Sequence, residues 1–242
     1  MKILLTLILF SISIVALSQE ILLGQDVKGD TLRPTYGPNL RHFTMGYIGL
    51  GFPIYTNEDV AYTKFGASST LDFGIRYKRK LSNTFAVGLD LGMNYSDYGV
   101  KQEEGKTVPD TVINDKEKFL VNTLNGSAYF RVNVGRRGNY IGNYLDLGAY
   151  YGWNMTKKHK TVNENPEGEK VKVTTSRLSY IENFSYGLNA RLGINPYGLT
   201  NRMIINKFSI TARYRLSDIY KSSYDMPELP RLTVGFEVGL FR

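Results

Sequence analysis

Residues 85–96 read Phe-Ala-Val-Gly-Leu-Asp-Leu-Gly-Met-Asn-Tyr-Ser, and this stretch decides the fold. Every odd position is apolar or aromatic, while every even one is Ala, Gly, Asp, Asn or Ser. Strict alternation with a period of two marks a strand with one greasy face and one polar face. The preceding segment repeats it, with Leu71, Phe73, Ile75 and Tyr77 opposing Asp72, Gly74, Arg76 and Lys78. Further on, Leu124, Phe130 and Val134 oppose Asn125, Ser127 and Arg131, and Leu145, Leu147, Tyr151 and Trp153 oppose Asp146, Gly148 and Gly152. Phe184, Leu188 and Leu192 then oppose Ser185, Gly187 and Arg191, and Phe208, Ile210, Tyr214 and Leu216 oppose Lys207, Thr211, Arg213 and Arg215. The last segment sets Leu232, Val234, Phe236, Val238 and Leu240 against Thr233, Gly235, Glu237 and Gly239. With a less regular strand at residues 42–52, the chain holds eight.

The polar face says which way these strands look. A solvated face is dense in Lys, Glu and Thr, whereas this one is built from Gly, Ser and Asn with a few charges of both signs. Such residues fit a narrow lumen, and an unbroken aliphatic and aromatic face suits hydrocarbon. Several runs also exceed the roughly 9–11 residues that cross a bilayer at a tilt of about 45°. A mean hydropathy of −0.25 argues against a helical membrane bundle. Beyond the N-terminus, the longest segment free of Asp, Glu, Lys and Arg is the Gly-rich stretch 42–57, which rules out a spanning helix. A closed barrel is the other structure that satisfies every backbone group in lipid.

Connector lengths test this independently. Odd connectors, at about 53–67, 101–117, 157–176 and 218–230, are long and charged, and the even ones, at 82–83, 135–142 and 195–202, are short. A meander places the two sets at opposite ends, as outer-membrane barrels do with outside loops and periplasmic turns. Tyr95, Tyr98, Phe119, Trp153, Tyr180 and Phe184 fall near the long-loop end and Tyr77, Phe85, Tyr144 and Phe241 near the turns, as two interfacial girdles would. The expected fold is therefore all-β, an eight-stranded antiparallel transmembrane up-and-down β-barrel over residues 40–242.

Residues 1–18 read as a secretory signal peptide: Lys2, an apolar run from Ile3 to Leu17, and the small-x-small site Ala16-Leu17-Ser18 before Gln19. Its removal lowers the formal charge from +8 to +7. Residues 19–39, with Pro34 and Pro38, form a polar periplasmic lead-in. The absence of Cys excludes a disulfide scaffold, a thiolate metal site, a Cys nucleophile and a lipoprotein anchor.

The run from Thr233 to Phe241 matches the polar-x-Gly-x-x-apolar-x-apolar signal on the final strand of barrels inserted by the outer-membrane assembly machinery. With the signal peptide and eight strands, the chain resembles the small eight-stranded outer-membrane barrels of the OmpA/OmpX type. Its size and layout are also similar to the PorT-like barrels that accompany type IX secretion, without a motif specific to them. The resemblance implies a monomeric barrel of a Gram-negative outer membrane whose Thr233, Gly235, Val238 and Leu240 are read during insertion. Arg242 after Phe241 departs from the many such chains that end on the aromatic itself.

An eight-stranded barrel is filled by its own side chains, so an open pore is not expected. Its inward charges would be Asp72, Asp90, Asp146 and Glu237 with Arg76, Lys78, Arg131, Arg191, Lys207, Arg213 and Arg215, forming a lumen network of paired ions. The only two His, His42 and His159, fall at opposite ends, roughly 25 Å apart in such a barrel, with no catalytic partner at fixed spacing. No enzymatic site, cofactor or metal is expected; the acidic loops fit no calcium spacing. Nucleic acid is excluded by location. The excess positive charge, through Lys157, Lys158 and Lys160, would meet lipopolysaccharide phosphates among the outer-membrane lipids. The function read from this is a non-enzymatic structural or interaction role through long outer loops. The rivals are an accessory of a secretion complex and a soluble lipocalin-like binder with its apolar face inward.

Overall fold

The computed structural model describes residues 37–55, 63–104, 106, 108–135, 141–194, 205–224 and 226–240, with backbone alone at 65 and 205–207. The signal peptide, residues 19–36 of the lead-in, Phe241, Arg242 and the Lys207 side chain lie outside the described residues. Nine strands follow in chain order: β1 His42–Ile54, β2 Ser69–Lys80, β3 Phe85–Gly99, β4 Lys116–Val134, β5 Asn143–Glu164, β6 Lys170–Ser176, β7 Phe184–Ile194, β8 Ile205–Arg215 and β9 Leu232–Leu240. Among the described residues no helix is long and apolar enough to cross a membrane.

Eight of the nine strands close a ring. Neighbours pair antiparallel in the order β1-β2-β3-β4-β5-β7-β8-β9, and β9 returns to β1 with Gly46 opposite Leu240 and Ile54 opposite Leu232. Closure leaves this ring no free edge, so each strand's backbone groups pair on both sides without help from solvent. The β2–β3 turn is local chemistry: Ser82 Oγ accepts from the amides of Thr84 at 3.2 Å and Phe85 at 2.9 Å.

The two phases of the alternation separate as wall and lumen. Outward side chains such as Ile75 and Leu91 are each 61% exposed, and Phe130, Leu147, Leu188 and Phe208 share that outer face. Inward Arg76, Arg131, Asp146 and Glu237 are buried. An apolar exterior around an ionic interior is the inverse of a soluble barrel, and it is stable where the surrounding solvent is hydrocarbon. The lipocalin-like alternative, which needs the apolar face inside, fails on this orientation.

Three expectations need correction. The third long connector is not an open loop. β5 runs on past the ring and pairs with β6 from Lys158–Ser176 to Glu164–Lys170, so residues 157–176 form a projecting hairpin. Its turn is made by Asn165 to Glu169, with Gly168 at φ +81° and its amide bonded to Asn165 O at 2.8 Å; glycine takes this left-handed conformation without steric cost. Second, Tyr98 and Phe119 are not girdle residues but are buried in an apolar cluster, with Tyr180 packed against it. Third, Tyr144 points inward, because it shares the phase of Asp146. β1 looked irregular for a related reason, since Phe43, Met45 and Tyr47 occupy its inward phase.

Candidate functional site: a charged lumen beneath an apolar cap

Register brings the inward charges to one level. Arg76 lies opposite Asp90, and Asp146 pairs across the sheet with both Arg131 and Arg191. Arg76 donates from Nε to Asp90 Oδ1 at 2.9 Å and from its two terminal nitrogens to Glu237 at 2.5 and 2.9 Å. Arg191 bridges Asp146 at 2.6 Å and Asp90 at 2.7 Å, and Arg131 grips Asp146 at 2.6 and 2.8 Å. Three guanidiniums therefore balance three carboxylates with no net charge. A buried ion is tolerated when paired and fully hydrogen-bonded, and Arg presents a planar fork suited to two carboxylates at once.

Aromatic rings pack between these ions. The Arg131 guanidinium lies 3.6 Å over Tyr144, that of Arg76 4.5 Å over Tyr47, and that of Arg191 5.3 Å from Tyr129. The glycines of the inward face make room for the rings: a Cβ at Gly88 would run into Tyr129, and one at Gly193 into Tyr144. Small residues beside large ones fill the cross-section, so the middle of the barrel is a plug.

Above the plug lies a polar layer. Asp72 accepts from Arg213 at 3.1 Å and from Asn94 at 2.8 Å. A cavity of about 90 Å³ borders Asn94, Asn125, Asn154 and Asn189, enough for a handful of waters among polar partners. Arg215 closes this layer upward, donating to Ser217 O, Leu229 O and Glu228, each at 2.9 Å. At the other end, Lys78 donates to Pro38 O beside Phe43, Met45, Ile141 and Tyr144.

The long-loop end is sealed by packing that sequence reasoning missed. Phe119 and Val121, continuing the inward phase of β4, meet Tyr98, Val100, Val108, Leu178, Ile181, Ile219, Tyr220 and Leu229 in one apolar cluster. Tyr98, Phe119 and Val121 stand on β3 and β4 and the rest come from three connectors, so folding those connectors over the mouth buries apolar surface that separate loops would leave wet.

A polar hub pins the cap from the side. Buried Glu117 accepts from Lys106 Nζ at 2.5 Å, Gln102 Nε2 at 2.9 Å and Asn114 Nδ2 at 3.2 Å, and pairs with His159 Nε2 at 2.7 Å. Burial alone would raise its pKa, but the bonds from His159, Lys106 and Gln102 outweigh that and bring it down to about 2. His159 also stacks on Phe119, with ring centroids 4.9 Å apart. It thus belongs to the cap, and its partner Glu117 lies 42 residues away in sequence. His42 contacts Tyr77 Oη at 2.6 Å near the turn end. Among the described residues no group of three His, Asp or Glu is placed to hold a metal. Thr233, Gly235, Val238 and Leu240 lie on β9, the strand that closes the ring between β8 and β1.

A closed antiparallel ring of eight strands, apolar outside and ionic inside, defines a small up-and-down transmembrane β-barrel, the fold of the OmpA/OmpX type that the sequence resembles. Two crystal structures of Ail, the attachment invasion locus protein of Yersinia pestis, align with the chain. One, in complex with the heparin analogue sucrose octasulfate, matches at 15% identity over 81% of this chain and 94% of that one, with a TM-score of 0.28. The other matches at 16% identity over 81% and 93%, also with a TM-score of 0.28. No protein-family model matches the chain, and no curated protein does.

Proposed function

We propose that this chain is an integral outer-membrane protein of a Gram-negative cell, without enzymatic activity, that acts as a structural and interaction module through its capped outer end. One observation carries the reading: the barrel is shut twice, by the Arg76–Asp90–Glu237–Arg191–Asp146–Arg131 plug and by the cluster around Phe119. A wall that meets lipid around a filled lumen presents a surface and provides no path. The signal peptide supports export, and the β9 pattern of Thr233, Gly235, Val238 and Leu240 supports insertion by the barrel assembly machinery.

Two measurements test this together. The membrane-extracted protein should migrate fast on a gel until boiled, as closed barrels resist SDS, and should carry no sustained current in a planar bilayer. Steady single-channel openings would overturn the closed-module reading; recovery in the detergent-free soluble fraction would overturn the membrane reading. A pull-down from gently solubilised membranes addresses the secretion-accessory rival, which requires stoichiometric partner subunits.

A further inference from the structure

Where β5 leaves the ring, the outer rim carries a cationic seat. The last β5–β7 pair is Trp153–Phe184, and the first β5–β6 pair is Lys158–Ser176. Between them opens a concavity of about 410 Å³ with Met155 in its lining. Lys157, Lys158, Arg177 and Lys221 also line it, with Ser176 and Ser179 among the hydroxyls and no Asp or Glu. Four cations line one hollow whose own lining holds no carboxylate, and an anion seated there would relieve their mutual repulsion. Burial and then the Lys221 charge push the Lys157 pKa down, against a smaller opposite pull from Glu182, which lies outside the lining.

The neighbouring surface extends the same charge. A register shift between Asn122 and Thr123 leaves Met155 without a partner on β4. Beyond it, the even residues of β5 share the outer face with the even residues of β4. Lys118 lies opposite Lys160, Lys160 opposite Thr174, and Lys172 opposite Val162, which itself faces Lys116. Paired residues share a face, so Lys116, Lys118, Lys158, Lys160, Lys170 and Lys172 all look outward. On that face Asp97 sits 3.9 Å from Lys118 and Glu164 lies opposite Lys170, leaving a clear positive excess.

Height selects the occupant. Trp153 and Phe184 sit outward on the wall just below, where aromatic side chains mark the membrane interface. Lys158 follows Trp153 by five residues, roughly 12 Å along the membrane normal at about 3.3 Å per residue and a tilt of about 45°. That carries the Lys158 backbone to the outer edge of the headgroup layer, which is only about 5–8 Å thick on each side. From there its long flexible side chain can reach lipid phosphates, and the hollow opens beside the outward-facing Met155.

We propose that the hollow between Met155, Lys158, Arg177 and Lys221, with the lysine face beside it, seats the phosphate groups of an outer-leaflet glycolipid whose acyl chains lie along Trp153 and Phe184. The proposal rests on the outer-membrane reading. Arg177 supplies a fork and the lysines point charges for phosphate oxygens.

The only Trp reports on the seat. The full chain is reconstituted in phosphatidylcholine vesicles holding a minor fraction of bisphosphorylated lipid A with brominated acyl chains, and Trp153 quenching is measured. Wild type should concentrate lipid A beside Trp153. The variant Lys158→Gln, Arg177→Gln, Lys221→Gln should lose that enrichment by about a hundredfold, at roughly fivefold per cation removed. Lys157 is kept, because it holds Ile181 O at 2.9 Å and Asn183 Oδ1 at 2.7 Å. Equal quenching in the variant, or by dephosphorylated lipid A, overturns the proposal. Displacement by millimolar inorganic phosphate, where sodium chloride of equal ionic strength displaces nothing, overturns the lipid as occupant and assigns the seat to soluble phosphate. If the variant does not fold, raising the salt on wild type decides instead: enrichment must fall, and salt-independent quenching refutes the seat. Failure of brominated phosphatidylcholine itself to quench Trp153 is a different result and refutes the membrane reading.

Discussion

Replacing Arg76 by Met should be the most damaging single change in the lumen. Arg76 is 1% exposed and links β2 to β3 through Asp90 and, across β1, to β9 through Glu237. Its loss affects the two carboxylates unequally. Asp90 retains Arg191 at 2.7 Å, whereas Glu237 is left with the Arg191 Nε at 3.7 Å. Removing one partner from a buried ion pair costs about 3–5 kcal/mol, because the stranded charge has no water to return to. Adding Glu237→Gln removes the stranded charge and restores neutrality among the remaining groups. The double variant should therefore be more stable than the sum of the two single losses by about 1–3 kcal/mol. Urea unfolding in lipid vesicles, followed by Trp153 emission and by loss of the fast gel band, measures both quantities. A loss below about 1 kcal/mol for Arg76→Met, or strict additivity in the double variant, would refute the view that the plug is one coupled network.

Three further outcomes are expected. Leu89→Arg, at a wall position 60% exposed in the bare barrel, should cost roughly 2–4 kcal/mol in lipid if it meets the bilayer midplane, while Asn125→Arg should act through crowding in the polar layer; equal stability of Leu89→Arg and wild type in lipid would contradict the orientation of the wall. Gly88→Ala should cost about 1–3 kcal/mol, because its methyl group would be forced into the Tyr129 ring, and pairing it with Tyr129→Ala should relieve part of that loss. Glu117 has its pKa lowered from 4.5 to about 2 on folding, so it stabilises the cap fully above 4.5 and loses that contribution as pH falls through about 2. Protection factors around Glu117, corrected for the intrinsic exchange rate at each pH, should fall across that window, and a Glu117→Gln variant that keeps the same acid response would exclude Glu117 as its source.

The wall and the lumen were legible because one period governs both: once Leu89 and Leu91 face lipid, Asp90 must face inward. The ion partners were not, because Arg76 reaches Glu237 across 161 residues of sequence, and only ring closure sets that register. The cap shows a different limit. Phe119 and Val121 sit in the inward phase with Thr123 and Asn125, so their direction was in the pattern. Being aromatic, however, Phe119 read as an interfacial girdle residue until the connectors bearing Ile181, Ile219 and Leu229 had a place to land. The hairpin had its own signal, a Pro166-Glu167-Gly168 turn followed by the alternation Lys170-Val171-Lys172-Val173. The density of charge around it outweighed that signal and made the segment read as a loop.

A single extra residue joins these features. On β5 the odd positions face out up to Trp153, and Met155 is the residue without a partner on β4. Without that bulge the odd phase would continue, turning Lys157 and His159 toward lipid and Lys158 and Lys160 into the mouth. The cap would lose the ring that stacks on Phe119 and the hydrogen bond that His159 makes with Glu117. It would receive in exchange two ammonium groups beside an apolar cluster, a costly burial without partners. The bulge reverses the phase as the chain leaves the membrane, and one strand thereby serves two solvents. From Leu145 to Trp153 its outward residues are apolar, while its inward ones are Asp146, Asn154, glycines and two tyrosines; above Met155 the outward positions include Lys158 and Lys160, and inward His159 helps complete the seal. This reversal allows a long strand to be a barrel wall at one end and the scaffold of a closed, cationic outer surface at the other.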